Sequence, residues 1–137
     1  MGPNVLGSAL GMDKDVMKRL LKEASIPIGK FITVHKGEEI SFNKVTEALG
    51  LPVFIKPANM GSSVGISKVK NKNEFTKALE NAFLYDTKIV IEENIDGQEI
   101  ECSVMGNEGP IASLPGEIIA NDEFYSYNSK YIDNKSV

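Results

Sequence analysis

The β-prone residues of this chain come in short apolar runs, Phe31-Ile32-Thr33-Val34, Pro52-Val53-Phe54-Ile55, Ile66-Ser67-Lys68-Val69 and Ile89-Val90-Ile91, never in one long block. Runs that short make the strands of a small sheet. The segments between them keep a different rhythm. Phe75, Ala78, Leu79, Ala82 and Phe83 follow the i, i+3, i+4, i+7, i+8 pattern in full, which predicts an amphipathic helix. Asn73 is its expected cap. Val16, Leu20, Leu21 and Ala24 predict the inward face of another helix, capped by Asp13 and stopped at Ser25-Ile26-Pro27. Phe42, Val45, Ala48 and Leu49 predict a third, opened by Ser41 and closed by Gly50. The fold class that follows is α+β, a mainly antiparallel sheet with helices packed on it.

The flanks are plainer. Residues 1–12 are rich in Gly and small side chains and read as an extended lead-in. After the turn at Asp96-Gly97, Ile100, Cys102 and Val104 alternate with polar neighbours, the pattern of a half-buried strand with Cys102 in the core. Residues 111–114 and 117–120 then extend it as a meander around the turn Asn107-Glu108-Gly109-Pro110. From Asn121 on, the sequence is polar and tyrosine-rich. The expected organisation is a lead-in at 1–12, one folded unit at 13–120 and a loop segment at 121–137.

Composition excludes several function classes. A chain of 137 residues, 42% apolar and 25% charged, suits one soluble domain. A net charge of −4 gives no general attraction to nucleic acid or to an anionic membrane. The single cysteine, Cys102, has no internal disulfide partner, which points to a reducing compartment. No apolar run nears the roughly 20 residues of a membrane helix, and the start lacks the features of a signal peptide. The expectation is a cytoplasmic protein. No Cys/His spacing suggests zinc. His35 has no acid or nucleophile beside it in sequence, and Lys68, Lys70 and Lys72 read as a solvated face.

Three places can carry chemistry. The first is Ala58-Asn59-Met60-Gly61-Ser62-Ser63-Val64-Gly65, with Lys56 just before it at the end of an apolar strand. Small residues let backbone N–H groups close on an anion such as a phosphate, and Ser62 and Ser63 add hydroxyls. The other reading is an ordinary flexible hairpin with a solvated lysine, and the loop lacks the Gly-Lys-Ser/Thr ending of a Walker A motif. The second is Ile91-Glu92-Glu93-Asn94-Ile95, followed by Glu99. A strand leaving its sheet here can pair backbone groups with a purine edge, and a carboxylate can accept from ribose hydroxyls. The alternative is a strand end with solvated acids. The third is Tyr125, Tyr127, Lys130 and Tyr131, either a loop closing over a charged substrate or a frayed surface segment.

Together these pieces resemble one family. Gly7-Ser8-Ala9-Leu10-Gly11-Met12-Asp13-Lys14, Ile55-Lys56-Pro57 with Gly61-Ser62-Ser63-Val64-Gly65, the stretch from Glu92 to Glu99, and Phe124-Tyr125-Ser126-Tyr127-Asn128-Ser129-Lys130-Tyr131 stand in the order found in D-alanine–D-alanine ligases of the ATP-grasp superfamily. The likeness covers essentially the whole chain. It implies the N-terminal subdomain of an ATP-grasp fold, and an enzyme that joins two D-alanines for peptidoglycan synthesis at the expense of ATP, through an acyl phosphate. By the resemblance, Lys14 and Lys56 are the phosphate-side lysines, and Gly61, Ser62, Ser63 and Val64 belong to the lid over the β- and γ-phosphates. Glu92, Glu93 and Ile95 correspond to the adenine-binding segment, the last two acting through backbone groups, and Glu99 to the ribose-binding carboxylate. Lys130 corresponds to the omega-loop lysine that reaches the γ-phosphate, and Tyr131 to the tyrosine that hydrogen-bonds Ser62 on closure. Catalytic roles thus fall to Ser62, Lys130 and Tyr131.

The resemblance also implies what is missing. The family's N-terminal domain and the C-terminal part of its ATP-grasp fold have no counterpart here, and the latter carries the Mg2+ ligands. Met1-Gly2-Pro3 reads as a start placed before an internal segment, so the chain is expected to be a fragment, inactive alone, of a homodimeric parent. ATP and D-alanine are the implied substrates. Lys130-Tyr131 favours a D-alanine over a D-lactate acceptor, while D-serine stays open. A non-catalytic nucleotide-binding module and another ATP-grasp carboxylate–amine ligase are the competing readings. Apolar surface left bare by the missing parts is expected to promote self-association.

Overall fold

The computed structural model describes residues 2–119. The chain divides into two compact units, with the division after Ile95.

In the first unit four strands form one sheet: β1 (Phe31–His35), β2 (Val53–Pro57), β3 (Ser67–Val69) and β4 (Lys88–Glu93). Their order is β1-β4-β2-β3, and every pairing is antiparallel. β2 and β3 make the expected hairpin across the Gly/Ser loop. Four helices accompany them: α1 (Val5–Met12), α2 (Lys14–Glu23), α3 (Phe42–Leu49) and α4 (Lys72–Ala82).

The register divides the sheet into two unlike faces. Residues directly opposite share a face, so Val53, Ile55 and Pro57 of β2 join Ile89 and Ile91 of β4 and Val34 of β1. All six are buried. Val45 of α3 and Phe75, Ala78 and Ala82 of α4 pack on this face, completing the core. Phe42 meets Phe75 edge-to-face at 5.5 Å. The other face carries Phe31, Thr33, Phe54, Lys56, Lys68, Lys88 and Glu92, with Val90 among them. The strands alternate apolar and charged because one side builds the core and the other does not.

Local signals explain the helix ends. Ser41 Oγ accepts from Lys44 N at 3.2 Å and opens α3. Gly50, at φ 76°, closes it with its N–H on Thr46 O at 2.9 Å. Asp13 caps α2, its Oδ1 accepting from Asp15 N and Val16 N, both at 3.1 Å. The cap of α4 is Asn71, not Asn73: Asn71 Oδ1 accepts from Asn73 N and Glu74 N at 3.1 Å. Both residues are Asn, and the one two positions earlier puts its side chain under the first orphan N–H groups.

Two further expectations fail. The N-terminal segment is helical over Val5–Met12 rather than extended. Asn4 Oδ1 accepts from Gly7 N at 2.8 Å, and that cap outweighs the poor propensity of Gly7 and Gly11. On α2 the residues read as inward are not the buried ones. Leu20 is 48% exposed, and the buried residue of α2 is Asp15 at 6%. The surface beneath α2 is the charged face of the sheet, so ion pairs rather than apolar packing set the helix rotation.

Asp15 anchors that arrangement. It accepts from Thr33 Oγ1 at 2.6 Å and Arg19 Nε at 2.8 Å, with Lys88 Nζ at 3.6 Å. Burial alone would raise its carboxyl, but the Thr33 and Arg19 hydrogen bonds and the Arg19 and Lys88 charges hold it below the usual range. A depressed folded value contributes stability that is present above the unfolded value, about 3.9, and lost as pH falls through the folded one. Asp15→Ala is therefore expected to cost about 2 kcal/mol at neutral pH and to flatten the acid limb of stability. Urea unfolding from pH 7 down to pH 3 checks both, and parallel wild-type and variant curves would contradict the assignment.

The second unit is an interrupted hairpin. β5 (Glu99–Glu101) pairs with β8 (Gly116–Ile118), and β6 (Val104–Met105) with β7 (Ile111–Ala112). The pairs nest, which corrects the expected meander. Glu101 stands opposite Gly116 and Val104 opposite Ala112, so two residues on one strand face three on the other, a bulge. Ser103 and Ser113 bridge it, Ser113 N donating to Ser103 O at 2.9 Å and Ser103 N to Ser113 Oγ at 3.0 Å. Ile100, Val104 and Cys102 are exposed, not half-buried or in a core. Alternation predicts the two sides of a strand, but not whether anything covers them.

Candidate functional site: the charged face of the sheet

Lys56 is the fourth residue of β2, and alternation places it on the charged face. Its Nζ lies 2.7 Å from Glu92 Oε2 and 5.5 Å over the Phe54 ring. Glu92 sits on the central strand between Phe31 and Phe54. Its Oε1 is 3.4 Å from Lys18 Nζ. Lys18 lies one turn after Lys14 on α2, and its Nζ stands 5.5 Å over the Phe31 ring. Lys68 reaches the Phe54 ring from β3 at 5.7 Å. The expected solvated lysine face thus holds for Lys70 and Lys72, while Lys68 is half-buried over an aromatic ring. The electron-rich face of Phe54 thus attracts both the Lys56 and the Lys68 ammonium groups.

Lys14 works at the root of the Gly/Ser loop. Its Nζ donates to Pro57 O at 3.1 Å, to Ala58 O at 3.4 Å and to Met60 O. Its backbone N–H donates to Ala58 O at 3.0 Å. Burial, and after it the Lys56 charge, holds the Lys14 ammonium below the usual lysine range, against the pull of Glu92, Asp86 and Asp13. The two lysines that the sequence singled out therefore feel each other's charge. The remaining root contacts come from the other side: Asn59 N and Nδ2 donate to Asp86 Oδ2 at 2.8 and 3.0 Å, and Ala58 N to Lys88 O at 2.9 Å.

The loop itself is wound tightly. Ser62, Ser63 and Gly65 have φ of 51°, 59° and 70°. Val64 N donates to Gly61 O at 3.1 Å and Ile66 N to Ser63 O at 3.3 Å. Both N–H groups close the turn on itself. Gly65 is required twice over. Its φ is positive, and a Cβ there would stand 2.7 Å from Tyr85 Cδ2 and 2.8 Å from Pro57 Cγ.

At the exit of β4, Glu93 turns back onto the strand entry. Its Oε1 accepts from Lys30 N at 2.7 Å, and its own N–H donates to Lys30 O at 3.1 Å. Ile95 packs so closely that a Cβ on Gly29 would meet its Cδ1 at 3.1 Å. Glu99 lies in the second unit, exposed on β5. Lys130 and Tyr131, like Tyr125 and Tyr127, lie outside the described residues. Lys18, Phe54 and Lys68 were not read as site residues. The spacing of Lys14 and Lys18, four apart on one helix, was the available signal for the first.

Comparison with known proteins decides the family. The D-ala D-ala ligase C-terminus family matches residues 20–137. The chain belongs to the D-alanine–D-alanine ligase family. It is 58% identical over 136 residues to a D-alanine–D-alanine ligase of Proteus mirabilis and 54% over 136 residues to one of Oceanobacillus iheyensis. These alignments cover 98% and 97% of this chain but 37% of each relative, so the chain spans about 37% of the length of the ligases it matches. Among solved structures, a D-alanine–D-alanine ligase from Coxiella burnetii superposes with a TM-score of 0.80 at 40% identity, over 85% of this chain and 35% of that one. A D-Ala:D-Ser ligase from Enterococcus faecalis gives 0.80 at 38% identity, over 94% and 38%. The fold is that of the ATP-grasp ligases. Among the described residues no helix is long and apolar enough to cross a membrane. Nor does any group of three His, Cys, Asp or Glu side chains there suit a metal ion.

Proposed function

We propose that this chain is the ATP-binding portion of a D-alanine–D-alanine ligase. One observation carries the reading: Lys56 lies on the charged face of the sheet, and Lys14 Nζ reaches the carbonyls of Pro57, Ala58 and Met60 at the root of the loop that follows it. Two ammonium groups at the root of one loop suit a polyphosphate better than any neutral ligand.

In the reaction, a carboxylate oxygen of the first D-alanine attacks the γ-phosphorus, and the bond from that phosphorus to the β–γ bridging oxygen breaks. ADP leaves, and an acyl phosphate forms. The free amine of the second D-alanine attacks the acyl carbon, phosphate departs, and the new amide nitrogen loses a proton. The residues here serve the first step. Lys56 neutralises charge on the phosphates, where a fixed cation acts most strongly. It spends one donor on Glu92, and its side chain keeps 24% exposure. Lys14 is more committed: an ammonium has three donors, and three carbonyls already take them. For Lys14 to touch a phosphate, one of those carbonyls must let go. Lys14 thereby ties the loop's position to phosphate occupancy. Glu92, Glu93 and Ile95 serve the base, Glu99 the ribose, and Ser62, Lys130 and Tyr131 close over the transferring group.

The Enterococcus ligase named for D-Ala:D-Ser matches this segment as well as the Coxiella enzyme does. The fold of this segment therefore does not choose between D-alanine and D-serine as second substrate. The test is phosphate release by the complete ligase carrying this segment. ATP turnover is expected only with D-alanine as first substrate, with D-alanine or D-serine offered second. Turnover indifferent to D-alanine would point to another ATP-grasp ligase.

A further inference from the structure

Glu92 holds two cations where charge balance asks for one. Lys56 takes Oε2 at 2.7 Å and Lys18 takes Oε1 at 3.4 Å. The Lys18 and Glu92 side chains are each only 13% exposed, so the pair is shielded more than an ordinary surface ion pair. Burying a second ammonium here costs desolvation, and the adjacent Phe31 ring offsets part of it.

We propose that Lys18 is a positioning residue that sets base selectivity by holding Glu92. The inference rests on the nucleotide reading above. When a polyphosphate draws Lys56 away, Glu92 Oε2 loses its partner and becomes a charged acceptor in need of a donor. Lys18 keeps Oε1 in place, so the carboxylate stays between Phe31 and Phe54, its neighbours on the flanking strands, and does not follow Lys56. A carboxylate acceptor fixed at this position suits a purine that bears an exocyclic amine. A 6-oxo purine would present an oxygen to the same carboxylate and be repelled.

Equilibrium dialysis of this chain with ATP and with inosine triphosphate tests it. Wild type is expected to favour ATP by about tenfold or more, the scale of one charge-assisted hydrogen bond. Lys18→Met should reduce that preference to about threefold or less, and Lys18→Arg should restore it. A purely structural lysine would weaken both nucleotides equally, and an unchanged ratio overturns the proposal. If wild type binds both equally, the nucleotide reading stands and this inference falls. If it binds neither, both fall. Thermal melts accompany each variant, and if Lys18→Met does not fold, Lys18→Gln carries the same expectation.

Discussion

Lys56→Ala is expected to weaken ATP binding by about 10- to 100-fold, the worth of one or two charge-assisted hydrogen bonds. In the complete ligase the expected loss in kcat is larger, about 100- to 1,000-fold, because the phosphoryl oxygens gain charge as transfer proceeds. The fold should survive, since Lys56 contributes no core surface and Glu92 keeps Lys18 as a partner. Lys56→Arg keeps the charge but changes the donor geometry, and should recover part of the binding. Salt supplies a second readout. A variant lacking a phosphate contact should bind ATP with a shallower dependence on ionic strength. Titration of both proteins at several salt concentrations measures this. Equal affinities and equal slopes would remove Lys56 from the phosphate site.

Gly65→Ala should be the most damaging change to the loop. The left-handed φ of 70° carries one penalty and the approach to Tyr85 and Pro57 a second. Left-handed strain costs about 1–2 kcal/mol, and overpacking about 1–3. The sum, roughly 2–5 kcal/mol, lowers Tm by about 10 °C or more in a unit of this size. Pro57 belongs to β2 and cannot shift without moving the neighbours of Lys56, so nucleotide binding should fall together with stability. Gly61→Ala is the contrast. Its φ is not in the left-handed range, and a Cβ there meets nothing within 4 Å, so it should leave Tm within about 2 °C. Calorimetric melts of the pair decide the matter, and equal losses would show that Gly65 is not specially confined.

Much of this was legible in the sequence, for identifiable reasons. α4 was plain because its apolar residues keep a full helical period and bury against one sheet face. The β2–β3 hairpin was plain because two apolar runs flank a Gly/Ser loop. What escaped depended on partners far away in sequence. The rotation of α2 could not be read from Val16 and Leu20, because Lys88 and Thr33, which hold Asp15, lie well beyond the helix. The pairing of Lys56 with Glu92 required the register between β2 and β4. The exposure of Cys102 and Val104 could not be read from alternation, which says that a strand has two sides but not whether anything covers them. The left-handed turn at Ser62 and Ser63 was hidden because neither residue type demands it.

The proposed polyphosphate lies beside Lys56 and Lys14, beneath the turn that follows Pro57. Backbone amide shifts of this chain, followed by NMR as ATP is raised to millimolar levels, test it most directly. The largest movements are expected at residues 58–65, at Lys14 and Lys56, and at Glu92 and Glu93. Shifts confined to α3 and α4 on the opposite face, or none at all in residues 58–65, would contradict it.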